Sequence, residues 1–415
     1  MPTTTVAVVN PYRVLFTLPV IACALGFFVD VYDLLIFNIV RVPSLESLGL
    51  TKAQISTQGA YILYGQQAGL LVGGILWGII GDKRGRIAVL FGSIVTYSLA
   101  NLACGLVQSV PVYAVLRFVA GVGLSGELGA AMVLVAEIVP KAVRSYGSSV
   151  VAGIGYFGAL AAYLTQEFFD WRTAFFVGGG MGLALLLLRA SVFESGLFDT
   201  LKTGHSNVER GNFWHFFSSW PNARKYLRCV AVGLPTWFVV GILATFSNEF
   251  GEAMGIAEPI KPGQAVMMIY VGLAAGDLLS GPFSQWLRSR KWAIIWLLLA
   301  SAVLAGVFLF GGIRSAQTLY LVCGLAGFCT GYVAMYLTMV AEQYGTNLRA
   351  TATTSVPSIV RGLVIPMTLL FQALKPAAGT LIGAGLLGLV VYALAFWSLS
   401  RMDETFGNEL AFVEG

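Results

Sequence analysis

Long apolar runs separated by short polar stretches dominate the chain, and they set the first expectation. A membrane span needs about 20 mostly apolar residues. Runs of that kind lie near 14–40, 55–81, 87–108, 112–138, 146–166, 172–193, 227–248, 264–287, 292–312, 317–341, 351–373 and 378–400. Backbone facing lipid must satisfy its hydrogen bonds internally, so such runs are helices. Glycine and proline scattered within them do not argue otherwise, because neighbouring helices re-satisfy the freed groups. The pattern therefore predicts an all-α membrane protein of twelve transmembrane helices.

Composition sharpens this. Of 415 residues, 57% are hydrophobic and 11% charged, against about 25% charged in soluble domains. So few charges would not cover a water-facing surface. The 49 glycines suit helices packed closely in lipid, where small residues let backbones approach. The first run is too long for a cleavable signal, contains Asp30 and Asp33, and has no small-residue cleavage motif after it. The five cysteines (Cys23, Cys104, Cys229, Cys323, Cys329) all fall in apolar runs without metal-like spacing. His205 and His215 share one polar stretch with no second ligand cluster. No metal or cofactor is expected. No phosphate-binding loop with glycines and a lysine is present, and no paired nucleophile and base suggests an enzyme.

Lysine and arginine fix the expected orientation. Arg13, Lys83, Arg84, Arg86, Lys141, Arg144, Arg189, Lys202, Arg210, Arg224, Lys225, Arg228, Arg288, Arg290, Lys291, Arg349 and Arg401 fall on one side. Only Arg41, Lys52, Arg172, Lys261, Arg314 and Lys375 fall on the other. Both termini are thus expected in the cytoplasm of a cell that places the protein in its inner membrane. Cations such as Arg224, Lys225 and Arg228 read as topological anchors, not as a nucleic-acid patch. The longest polar stretch, 194–226, reads as a cytoplasmic linker between a bundle over 1–193 and another over 227–415.

Those two halves repeat. Val135-Ala136-Glu137 has Arg144 seven residues past its glutamate, and Val340-Ala341-Glu342 has Arg349 at the same distance. The shared offset of 205 residues also maps Gly126 onto Gly331 and Arg86 onto Lys291. Repeats of six helices place a solute site near the midplane between them.

The segment Gly78-Ile79-Ile80-Gly81-Asp82-Lys83-Arg84-Gly85-Arg86, between spans two and three, resembles the signature loop of the major facilitator superfamily. Further matches are Arg117-Phe118 followed by Gly121, Gly123, Gly126 and Glu127; Glu137 with Pro140 and Arg144; Arg189 with Glu194-Ser195; and Glu404-Thr405 with Gly407. They are similar to the branch of sugar porters, metabolite:proton symporters and organic-ion transporters. Asp30-Val31-Tyr32-Asp33 resembles the first-helix pattern of aromatic-acid:proton symporters. Glu194-Ser195 is followed by Gly196, where the family carries proline. The resemblance implies two pseudo-symmetric six-helix bundles that work by alternating access. It also implies a cytoplasmic gate built from Gly78, Asp82, Arg84, Gly85, Arg86, Glu137, Arg144, Glu342 and Arg349. Independently, Gly85 permits a tight turn after Asp82, and Arg84 and Arg86 can pair with neighbouring acids or with helix C-terminal carbonyls.

Charges inside spans cost about 2.5–3.5 kcal/mol on insertion scales and so call for partners or function. Asp30 and Asp33 are three apart on one helix. Carboxylates that close repel when both are ionised, and a carboxyl able to exchange a proton is what coupling requires. Arg117 is their natural counter-ion, and the resemblance implies that Asp33 and Arg117 form the proton-coupling pair. A permanent ion pair that fixes packing is the structural alternative. Glu127 lies about three turns below Arg117 on the same helix, towards cytoplasmic-side groups and away from the cavity. Arg361 offers a planar fork for an anionic solute, or it neutralises Asp277. Tyr64, Gln67, Tyr156, Trp237, Tyr332 and Tyr336 are candidates to complete a cavity. The leading expectation is proton-coupled symport of a small organic solute, a carboxylate, by a monomer whose partners are solute, protons and lipid. An uncoupled facilitator or a proton-driven exporter is the alternative.

Overall fold

The computed structural model describes residues 11–140, 143–194 and 210–407. The polar segment 195–209, with Ser195, Lys202 and His205, lies outside the described residues, as does Lys141. Among the described residues, twelve helices are long and apolar enough to cross a membrane. We label them α1 (Leu18–Ser47), α2 (Thr57–Arg84), α3 (Arg86–Gly105), α4 (Val110–Ile138), α5 (Arg144–Phe168), α6 (Trp171–Ala190), α7 (Trp220–Ala244), α8 (Pro262–Leu287), α9 (Arg290–Phe310), α10 (Ala316–Gln343), α11 (Arg349–Ala378) and α12 (Thr380–Ser400). The predicted all-α, twelve-helix architecture is what the structure has.

Local signals account for the helix starts. Thr51 and Gln54 form a capping box at the start of the helix Lys52–Arg84 that contains α2, satisfying backbone N–H groups that the first turn leaves free. Ser219, Ser289 and Ser315 accept from backbone N–H groups at the starts of α7, α9 and α10. Large apolar side chains such as Phe168, Leu187 and Trp286 are exposed, as side chains facing lipid must be.

Within the first half, α1 packs on α5 and α6, α2 on α4, and α3 on α4 and α6. Within the second, α8 packs on α10, α7 on α12, and α9 on α10 and α12. The halves meet along two long seams, α2 with α11 and α5 with α8. The contacts of α11 with the first half lie in its segment Arg349–Gly362, and those of α10 in Val333–Gln343. Both segments belong to the end that carries Arg86, Arg144, Arg290 and Arg349, called here the basic end. Hydrogen bonds that join the halves gather there too, including Thr338 Oγ1 to Ser148 Oγ (2.8 Å) and Gly281 N to Ser149 Oγ (2.9 Å). The halves thus form a V closed at the basic end.

Three spans depart from the predicted uniform helices. The α7 helix starts at Trp220, seven residues before the expected 227, and finishes in a π-helical segment, Val239–Ala244, beyond Pro235. The α10 span breaks at Gly331 and Tyr332, and α11 is interrupted at Leu363. Hydropathy reads a break as continuous because the residues in it remain apolar.

Candidate functional site

At the basic end, side chains from both halves interlock. Gly85, at φ 92°, turns the chain sharply between α2 and α3, a conformation glycine adopts without steric cost. The turn leaves Asp82 buried at the end of α2 and aims it at the start of α11. There it accepts from Ala350 N (2.9 Å), Thr351 N (2.8 Å) and Thr351 Oγ1 (2.6 Å). A carboxylate at a helix N-terminus satisfies free N–H groups and complements the helix dipole. The approach is close: a Cβ on Gly78 would lie 2.8 Å from Thr351 Cα.

Two glutamates then bridge the halves in matching fashion. Glu137 takes Arg86 of its own half (3.1 Å) and Arg349 of the other (3.5 Å). Glu342 takes Arg290 of its own half in a bidentate pair (2.5 and 2.7 Å) and Arg144 of the other (3.1 Å). Arg86 also reaches Gly81 O (3.0 Å) and Asp82 (3.5 Å), and Arg290 bonds Ser145.

The expected gate residues therefore assemble, with two corrections. Arg84 is exposed and stays outside the cluster. Arg86 corresponds in role to Arg290, not to Lys291. Lys291 instead holds Ser400 O (3.0 Å) at the end of α12 and Met402 O (2.8 Å) just beyond it. From sequence alone Arg290 reads as a loop cation. Its signal was the N-cap at Ser289, which places residue 290 in the first turn of α9, facing inward.

Deeper in the molecule, the charged residues of the spans are buried. Arg117 donates to Asn101 Oδ1 (2.8 Å) and to the main-chain oxygen of Asp33 (3.0 Å), and it lies against the rings of Phe37 and Phe175. Arg117 thus neighbours Asp33 but grips its backbone, while the carboxylate accepts no hydrogen bond and faces Gly178 of α6. Asn101 was missed by sequence reasoning, although an amide in the middle of an apolar run is a visible signal. Asp30 is buried on the same helix with one oxygen unpartnered. Its strongest electrostatic neighbour is Arg361 of the other half. At three residues' spacing the two aspartates point about 60° apart around the helix, and they meet different partners.

A cavity lies between the halves at this depth. It is lined by Val31, Leu34 and Tyr156 from the first half and by Trp237, Tyr270, Tyr336 and Arg361 from the second, among others. The Arg361 guanidinium sits over the Trp237 ring, 5.3 Å from its centre. Tyr156 meets Phe27 and Tyr270 edge-on at 5.3 and 6.0 Å.

Of the candidate lining residues, Arg361, Tyr156, Trp237 and Tyr336 are in the wall. Tyr64 is exposed on α2 and Gln67 half-buried, both away from it. Tyr332 is buried and donates to Val232 O (3.0 Å), so its hydroxyl serves packing. Arg361 and Asp277 form no ion pair. Asp277 Oδ1 accepts instead from Ala334 N (2.9 Å) at the break in α10. Glu127 does not reach the gate: it pairs with Arg189 of α6, which also donates to Leu90 O and Ala22 O. Arg189 is accordingly a buried residue of a span, not a loop cation, because only Glu127 and main-chain oxygens can neutralise and satisfy it there.

Comparison with known proteins agrees with this architecture. The gentisate transporter of Corynebacterium glutamicum is 25% identical over 345 residues, covering 78% of this chain and 73% of that protein. The 3-(3-hydroxy-phenyl)propionate transporter of Escherichia coli is 26% identical over 342 residues, covering 80% and 82%. The solved structure of the proton:xylose symporter XylE bound to 6-bromo-6-deoxy-D-glucose superposes with a TM-score of 0.75 at 16% identity, covering 97% and 98%, a likeness of fold. The family model of the Major Facilitator Superfamily matches residues 23–368. With its twelve spans, paired halves and central cavity, the chain belongs to the Major Facilitator Superfamily of membrane transporters.

Proposed function

We propose that the protein is a proton-coupled symporter of a small organic anion, an aromatic carboxylate, acting as a monomer in the cytoplasmic membrane. One observation carries the anion: Arg361 lines the cavity over Trp237 and forms no ion pair among the described residues. A planar guanidinium matches a carboxylate, and the surrounding Tyr156, Trp237, Tyr270 and Tyr336 offer ring faces and edges to an unsaturated body. The gentisate carried by one relative has this chemistry.

The excess of basic residues on this side supports a reading in which the closed end and both termini face the cytoplasm. The conformation is then outward-facing: the cavity is sealed from the cytoplasm by Asp82, Glu137 and Glu342 with their partners. A proton on Asp33 weakens its attraction for Arg117, and solute on Arg361 draws the halves together. Each ligand shifts the balance of states only by binding them unequally.

Purified protein in liposomes should take up labelled gentisate when an inward proton gradient is imposed, and Asp33→Asn should lose the gradient dependence while retaining counterflow. Gradient dependence unchanged in Asp33→Asn would remove Asp33 from coupling. Net downhill uptake by the wild type without any accompanying proton movement would make the protein a facilitator. No transport of gentisate by the wild type would remove the aromatic acid.

A further inference from the structure

Asp277 stands outside the mechanism above, yet it lies in a close helix contact of the second half. The α8 and α10 helices meet there through glycines: a Cβ on Gly331 would lie 2.6 Å from Gly276 Cα and 2.7 Å from Asp277 N. At that level α10 breaks. Its first segment ends at Thr330 and its second begins at Val333. A broken helix exposes new N–H groups, and they open inside the bundle, away from water. The N-cap position, Tyr332, supplies no side-chain cap. Asp277 does so from α8, with Oδ1 accepting from Ala334 N at 2.9 Å. Its other oxygen accepts no bond, and Tyr156 of the opposite half is its side-chain neighbour. The segment so capped carries Val333 and Tyr336 into the cavity wall and continues to Glu342 at the gate.

We infer that Asp277 is a positioning residue. It replaces the missing cap of the inner half of α10 and so fixes Val333 and Tyr336 at the solute site and Glu342 at the seal. This role depends on an acceptor oxygen and not on exchange of a proton. It sets Asp277 apart from Asp33, with which it shares only burial. The consequence for transport rests on the symporter reading; the cap itself does not.

The experiment compares Asp277→Ala, Asp277→Asn and the wild type by amide hydrogen exchange over residues 333–343, and by gentisate uptake across a series of external pH values. Asn keeps an acceptor oxygen, so its exchange, KM and pH profile should match the wild type. Ala should speed exchange in the first turn after the break by roughly fivefold, the factor for a lost helix cap. It should also raise KM more than it lowers kcat. Unchanged exchange in Asp277→Ala, or exchange raised equally in Asp277→Asn, overturns the cap. A flattened pH profile in Asp277→Asn, with exchange unchanged, overturns the claim that protonation plays no part. If Asp277→Ala does not survive purification, Asp277→Asn still decides, because capping and proton exchange give it opposite outcomes. If the wild type carries no gentisate, the symporter reading fails while the exchange measurement still judges the cap.

Discussion

Arg189 shows how much a single buried charge constrains its neighbours. Its guanidinium meets both oxygens of Glu127 and the main chains of α1 and α3, tying together four helices of the first half. Removing one member of a buried pair strands the other and costs about 3–5 kcal/mol. Glu127→Gln should therefore lower the melting temperature in detergent markedly. Glu127→Leu combined with Arg189→Met should recover most of that loss, because replacing both partners by apolar groups of similar volume is close to neutral. A double variant no more stable than the single one would count against the pairing. The sequence exposed both residues but not their meeting. They lie 62 positions apart, and Arg189, four residues before the end of the run 172–193, reads in sequence as a cation of the basic side. Asp30 and Asp33 were legible as a pair for the opposite reason: helical spacing alone relates them. Their divergence, one towards Arg361 and the other towards Arg117, depends on which helices surround α1, and no local pattern encodes that.

At the level of elements, the chain beyond α12 is built into the second half. Glu404 accepts from the backbone N–H of Arg290 (3.0 Å) and Lys291 (3.3 Å) at the start of α9, from those of Thr405 and Phe406 (both 2.9 Å), and from Ser289 Oγ. Burial pushes its carboxyl up, but these donors outweigh burial and hold it below the ordinary glutamate value of 4.5. A depressed value in the folded state means that the ionised form stabilises the fold. That stabilisation is complete above pH 4.5 and is lost as pH falls through the lower folded value. The wild type should melt above Glu404→Gln at neutral pH, and the difference should shrink as the pH is lowered below 4.5; a constant difference over that range would contradict the assignment. Spans were the legible part of the elements, since hydropathy marks where lipid begins. Breaks were not. Pro235, Gly331 and Gly362 were visible, but glycine and proline recur throughout these spans, and only the carboxylate of Asp277 distinguishes a capped break from a packing glycine.

For the whole molecule, the 205-residue offset foretold the architecture better than any single motif. It anticipated that Glu137 and Glu342, and Arg144 and Arg349, play equivalent parts. It missed that each glutamate crosses to the other half's arginine, because a repeat in sequence does not say which copy touches which. The seam offers a direct test of alternating access. Ser148 and Thr338 approach to 2.8 Å across the halves. Ser148→Cys with Thr338→Cys should crosslink under oxidant and stop transport, and reductant should restore it. The native cysteines are buried and leave the assay clean. Transport continuing in a fully crosslinked sample would mean that the basic end need not open.

The chemistry of that seam bears on how the carrier responds to heat. Its contacts mix hydroxyls, helix N-terminal amides, charged pairs and glycine backbone with apolar ones such as Leu278 against Gly153 and Tyr270 against Tyr156, so parting the halves wets polar groups together with hydrocarbon. Apolar exposure raises heat capacity while polar exposure lowers it, and here the two contributions oppose each other. If the halves part there in transport, the equilibrium between closed and open seam should curve less with temperature than the opening of a wholly apolar interface would.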